Sequence, residues 1–195
     1  LNIKFHQNLK DESYFNYLKS MKVDIIVVFS YGLILPAEIL KLPKIGCINI
    51  HASLLPRWRG PSPIQYALLS CDSVTGYCFM VMEEKVDHGA IIYSEKILIE
   101  EYDNSTTLLN KISKRSANKL VHVLENFASN KITAKKQNKN EITYSFKISK
   151  NETYINFDDK AEIVLGKIRA YNNNPGAKCI IKGEVIKILE AKIEE

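Results

Sequence analysis

The chain has 195 residues, of which 46% are hydrophobic and 25% charged, and its formal net charge is +5. That size holds one large domain or one domain with a small appendage, and the proportions exclude a disordered or fibrous protein. The charge permits an anionic partner without requiring one.

The longest apolar stretch, Ile25 to Leu35, is interrupted by Ser30, Tyr31 and Gly32 and is too short to cross a bilayer. No signal-peptide pattern opens the chain, so a cytoplasmic protein with no membrane partner is expected. The first residue is Leu1, not methionine, which points to missing or processed N-terminal residues.

In chain order, Asn2 to His6 suits a strand. Asp11 to Lys22 reads as a helix, with Tyr14, Leu18 and Met21 at helical spacing. Asp24 to Tyr31 is a near-continuous run rich in β-branched residues, the pattern of a parallel strand covered on both faces. Pro36 starts a short helix over Ala37 to Leu40. Gly46 to His51 is a second short strand and leads into a loop holding Pro56, Gly60, Pro61 and Pro63. Ile64 to Leu69 is helical, and Thr75 to Met82 and Ala90 to Ile99 are strands about a polar turn at Asp87, His88 and Gly89. Such alternation defines an α/β sheet.

Ser105 to Asn126 is an amphipathic helix whose apolar positions are Leu108, Leu109, Ile112, Leu120, Val123 and Leu124. Residues 111 to 150 then carry ten Lys/Arg against two acidic residues, a local balance of +8 that leaves the remainder at −3. Asn130 to Asn140 reads as an exposed Lys/Asn-rich linker. A helix over Ala161 to Tyr171, a turn at 172 to 177 and a hairpin about Lys182 and Gly183 within Lys178 to Ile193 complete the chain. Cys47, Cys71, Cys78 and Cys179 show no C-x-x-C spacing and read as small buried or half-buried thiols, with no metal site.

Asn49 and His51 are polar residues near the C-terminal end of an apolar strand, and period-two alternation puts both on one face. In open α/β sheets ligands gather beyond the carboxyl ends of the strands. Asp87 follows another strand, thirty-six residues later. An amide, an imidazole and a carboxylate make a coherent acyl-transfer set: two donors for a developing oxyanion and a carboxylate that holds the ring. Spacing alone favours a structural strand-end pair and a turn-capping aspartate over this set. Ser53 beside His51 lacks the G-x-S-x-G context of a nucleophile.

The surrounding string is more specific. N-I-H-A-S-L-L-P-R-W-R-G-P-S-P-I-Q, Asn49 to Gln65, resembles the signature loop of the methionyl-tRNA formyltransferase family. So do T-G-Y-C-F-M-V-M-E-E-K-V-D-H-G-A-I-I from Thr75 to Ile92, the upstream V-V-F-S-Y-G-L-I-L-P and the downstream I-R-A-Y-N-N-N-P-G-A, in that order. The departures are Pro61-Ser62-Pro63 where Ala-Ala-Pro is more usual, a bulky Tyr77-Cys78-Phe79, and Asn172 to Asn174 in a stretch that often carries Pro and Trp.

The resemblance implies a Rossmann-like formyltransferase domain without its first strand–turn–helix unit, over 1–129. A basic linker over 130–150 and the start of a small OB-like β-barrel domain over 151–195 would follow. It implies transfer of the formyl group of 10-formyltetrahydrofolate to the α-amine of initiator methionyl-tRNA by a cytoplasmic monomer. Asn49, His51 and Asp87 then form the catalytic trio. Leu33, Ile34, Leu35, Ser53, Leu54, Leu55, Pro56, Glu84 and Val86 hold folate. Arg57, Trp58 and Arg59 lie near the substrates, and Lys131, Lys135, Lys136 and Lys139, with Lys111 and Lys114, support tRNA as a group. No dinucleotide fingerprint is present, so NAD is not implied. Two alternatives stay open: a formyltransferase for a small amine such as a sugar nucleotide or glycinamide ribonucleotide, and a catalytically silent RNA-binding protein.

Overall fold

A computed structural model describes residue 9 and residues 11–194; the strand expected over Asn2 to His6 lies outside them. Helix α1 (Glu12–Ser20) is capped by Asp11, whose carboxylate accepts from the Ser13 amide at 2.9 Å, and it ends two residues before the expected Lys22. Its expected apolar stripe is not a core stripe: Tyr14 and Leu18 are half-buried and Met21 is exposed.

Strands β1 (Ile25–Phe29), β2 (Gly46–His51), β3 (Val74–Val81) and β4 (Ile91–Leu98) form one sheet in that order. Short helix α2 (Ala37–Leu40) and helix α3 (Pro63–Leu69) lie in the β1–β2 and β2–β3 connections. β1 and β2 are parallel, whereas β3 runs antiparallel to both β2 and β4. The sheet is therefore mixed and Rossmann-like, not parallel throughout. β3 and β4 meet through the short 82–90 connection, which a parallel pair cannot use. Nor is β1 covered on both faces as its composition suggested. It lies at the edge of the described sheet, and Val27 is 39% exposed.

Alternation along β2 and β3 sorts the core. Ile48, Ile50, Tyr77 and Phe79 pack against Leu108, Ile112 and Val123 of α4 (Ser105–Ala128), while Cys78 and Met80 meet Leu55 separately. The Asn104 side chain accepts from the Thr106 and Thr107 amides, and Thr107 answers to the Asn104 amide, so α4 opens on a capping box. Leu109, expected in the core stripe, is 38% exposed. Helix α5 (Ala161–Tyr171) crosses α3 at Gly166, where a Cβ would come within 2.9 Å of the Leu68 carbonyl oxygen. Arg169 of α5 donates to the carbonyls of Asp103 and Glu100 and so fastens it to the start of α4. The hairpin of β5 (Ala177–Ile181) and β6 (Glu184–Ile188) turns at Lys182 and Gly183, both at positive φ.

The segment expected as a free linker is exposed in its lysines but pinned in its backbone. Lys135 and Ile91 exchange two 2.8 Å main-chain hydrogen bonds at the edge of β4, and Ser145 and Thr143 bond both main-chain groups of Arg59. An edge strand offers unpaired amides and carbonyls, which this segment satisfies.

Candidate functional site

β2 delivers the site because its last three residues alternate: Ile50 enters the core while Asn49 and His51 face the other way. Asp87 arrives from the β3–β4 connection in a left-handed conformation, φ +56°. Two residues on, a Cβ at Gly89 would lie 1.6 Å from the Val81 carbonyl oxygen, so only glycine lets this turn lie on the end of β3. His51 and Asp87 are 5% and 7% exposed, and Asn49 is half-buried.

The three side chains meet. Asp87 Oδ1 lies 3.4 Å from Asn49 Nδ2 and 3.5 Å from His51 Nδ1, while Oδ2 accepts from the Gly60 amide at 2.8 Å. His51 Nε2 is 2.9 Å from the main-chain oxygen of Trp58. Both ring nitrogens thus face groups that only accept, and the doubly protonated imidazolium is the form that donates to both. The Nε2 bond is tight. The two contacts to Oδ1 are longer than a well-made hydrogen bond and leave both donors free to turn towards an incoming oxygen.

These groups open on a cleft of about 710 Å3 at the carboxyl ends of β1 and β2. Leu33, Ile34, Leu35, Glu84 and Val86 line it, with Ile34 75% exposed. Ser53, Leu54, Leu55 and Pro56 do not line it. Beyond Ala52 the chain turns away from the cleft: Ser53 is buried with its hydroxyl on the Arg57 carbonyl, Leu54 lies beside Gly76, and Leu55 packs with Cys78 and Met80. Leu55 and Pro56 instead line a second depression of about 560 Å3.

Arg57, Trp58 and Arg59 do not line the cleft, and each is engaged by other side chains. Arg57 forms a bidentate pair with Asp72 at 2.9 and 2.6 Å, which raises its pKa, and lies 4.3 Å over the Trp58 ring. The Trp58 indole also donates to Asp72, at 2.9 Å. Arg59 is 3% exposed and gives its Nε and Nη2 to the Gln137 side-chain oxygen. It is the main chain of this tripeptide and its neighbour Gly60 that reaches the site.

Lys131, Lys135, Lys136 and Lys139 are exposed, and the first three border the second depression, not the His51 cleft. Lys111 departs from the group because its ammonium is paired with buried Asp103 at 2.6 Å. Burial pushes the Cys47 thiol up to about 11 and Cys78 to about 12, so both are inert thiols; Cys71, by contrast, is exposed.

Two contributions went unread in the sequence. Asn172 to Asn174 line the cleft, although the run reads as a turn signal within a family-like string and not as a site. Gln137 stands among lysines and asparagines, with no periodicity or motif to mark it, yet it donates to the carbonyls of Asp87 and Gly89.

The fold and site define a Rossmann-like α/β chain with a polar Asn–His–Asp cluster in a cleft at its strand ends. Residues 4–124 match the formyl transferase family and residues 147–195 its C-terminal domain, and the chain belongs to the formyl transferase family. A methionyl-tRNA formyltransferase of Pelagibacter ubique is 41% identical over 92% of this chain and 58% of its own length. The chain spans about three fifths of the length of the curated relatives it matches. Among solved structures, the methionyl-tRNA formyltransferase from Clostridium thermocellum superposes with a TM-score of 0.79 at 21% identity, over 95% of this chain and 79% of that one. HypX from Aquifex aeolicus in complex with tetrahydrofolic acid superposes with a TM-score of 0.78 at 18% identity, over 91% of this chain and 31% of that one.

Proposed function

We propose that this chain carries the centre that moves the formyl group of 10-formyltetrahydrofolate to the α-amine of initiator methionyl-tRNA. The observation that carries the reading is the convergence of Asn49 Nδ2 and His51 Nδ1 on Asp87 Oδ1, at 3.4 and 3.5 Å, in a cleft with apolar walls. The name of the Pelagibacter relative supports the acceptor, and the HypX complex supports a folate donor. A cleft of about 710 Å3 suits a ligand of folate size, with Leu33, Ile34, Leu35, Glu84 and Val86 along it.

The folate supplies the formyl carbon. The neutral amine attacks that carbon directly, forming the new C–N bond and a tetrahedral oxyanion. Asn49 and imidazolium His51 donate to the oxyanion. Asp87 holds the ring and passes the amine proton, through water, to the folate nitrogen as its bond to the formyl carbon breaks. Formyl-methionyl-tRNA and tetrahydrofolate leave, and no enzyme nucleophile is needed.

Within this reading 1–129 is the catalytic domain, 130–150 the basic linker and 151–195 the start of the C-terminal domain. Lys131, Lys135, Lys136 and Lys139 offer charge to tRNA phosphates. The setting is a cytoplasmic monomer; among the described residues no helix is long and apolar enough to cross a membrane. Formyl transfer from 10-formyltetrahydrofolate, measured on methionyl-tRNA and on small amines side by side, tests the acceptor. Product on methionyl-tRNA is expected, and product on the small amine alone overturns the choice.

A further inference from the structure

We infer that Gln137 is a positioning residue for the Asn49–His51–Asp87 centre, acting through the backbone of Asp87 and held in turn by Arg59. The inference rests on the formyl-transfer reading above. The Gln137 amide nitrogen donates to the main-chain oxygens of Asp87 at 2.9 Å and Gly89 at 2.8 Å. Its oxygen accepts from Arg59 Nε at 3.0 Å and Nη2 at 2.7 Å. A guanidinium only donates and a carbonyl only accepts, so this amide orientation alone satisfies all four partners.

The clamp falls where the backbone needs it. Asp87 has φ +56°, a conformation that L side chains rarely adopt, and it persists only where its surroundings impose it. Arg59 is flanked by the two residues whose main chain grips the site: the Trp58 carbonyl faces His51 Nε2 and the Gly60 amide bonds Asp87 Oδ2. A closed ring therefore runs from the Asp87 main chain through Gln137 and Arg59 to Gly60 and back to the Asp87 carboxylate. Thr143 and Ser145 fix the Arg59 main chain from the same segment that carries Gln137. Arg59 Nη1 is buried with no hydrogen-bond partner, so the guanidinium sits here at the expense of one donor. The basic segment thus orients the reacting groups in addition to any charge it offers tRNA.

The test uses Gln137→Glu and Gln137→Ala in the complete natural protein. The first keeps the side chain's size and its bond to Arg59 but turns two donors into acceptors facing carbonyls. A displacement of the trio by about an ångström lowers kcat by about 10²-fold, and the folate KM stays within about threefold of wild type. Amide exchange at His88 and Gly89 speeds up in both variants while that of β2 and β3 does not, and the losses in kcat do not scale with the melting temperatures. A wild-type kcat in Gln137→Glu overturns the inference, as does a fall in kcat that follows the melting temperature in both variants. Absence of formyl transfer by the wild-type protein overturns the underlying reading instead, and amide exchange then stands as the separate measure of the clamp.

Discussion

His51 Nε2 lies 2.9 Å from the main-chain oxygen of Trp58, while Nδ1 on the other side of the ring is 3.5 Å from Asp87 Oδ1. One nitrogen is committed to the scaffold and the other is loosely held. The loose one is the donor free to meet a reacting oxygen, and Asn49 Nδ2, two residues earlier on the same strand, approaches the same Asp87 oxygen. Under the proposed mechanism, His51→Ala and Asn49→Ala each remove one oxyanion donor and lower kcat by about two to three decades. Single-turnover rates at saturating folate are expected to fall while methionyl-tRNA affinity, read by filter binding, stays near wild type. Asp87→Ala should follow the same pattern, since it removes the carboxylate on which both donors converge and which passes the amine proton. Near-normal turnover in any one variant removes that residue from the mechanism.

The exposed lysines do different work. Neutralising Lys131, Lys135, Lys136 and Lys139 together takes cations from a surface away from the His51 cleft. Each lysine–phosphate pairing so removed reduces the slope of log affinity against log salt by about one. A flatter slope with an unchanged kcat at saturating tRNA is the expected outcome of binding measured from low to moderate ionic strength. An unchanged slope would return the segment to the clamp role alone.

Arg57 looks in sequence like a substrate-facing cation and is bound in the structure to Asp72, with the Trp58 indole on the same carboxylate. Arg57→Ala should therefore leave the salt slope of tRNA binding unchanged and reduce stability instead. The pair is partly exposed, 44% on the Arg57 side, so a coupling of about 0.5–1 kcal/mol is expected from a double-mutant cycle by urea unfolding.

How far the sequence reached follows from what local patterns encode. β2 was legible because Gly46 to His51 combines an apolar run with two polar residues at period two, and the structure puts Asn49 and His51 on one face. The hairpin about Lys182 and Gly183 was legible from turn chemistry alone. Strand direction was not: β1 and β3 are both apolar runs, and only the length of the 82–90 connection separates an antiparallel partner from a parallel one. The partners of Arg57 and Arg59 were not legible, because charge marks a possible ligand and says nothing of an Asp72 or a Gln137 further along the chain. Gln137 was invisible for the reciprocal reason: a neutral amide has no periodicity, and its value lies in two carbonyls that only the fold brings to it.

Asp103 offers a pH-dependent stability test distant from the chemistry. Its side chain is buried, which by itself would raise its pKa, but hydrogen bonds from Lys111, the Glu100 amide and the Thr107 hydroxyl together bring it below the usual carboxylate value. The carboxylate is thus held more strongly in the folded chain than in the unfolded one, where the group titrates near about 3.9. Its contribution is fully present above the unfolded value and is lost as pH falls through the depressed folded one. Arg169 of α5 donates to the Asp103 carbonyl, so loosening this corner also loosens the attachment of α5. Asp103→Asn should therefore be less stable than wild type near neutrality, and the gap between their urea midpoints should narrow as pH drops below about 4. A gap that stays constant from neutrality down through the acid range would show that Asp103 acts there through shape and not through charge.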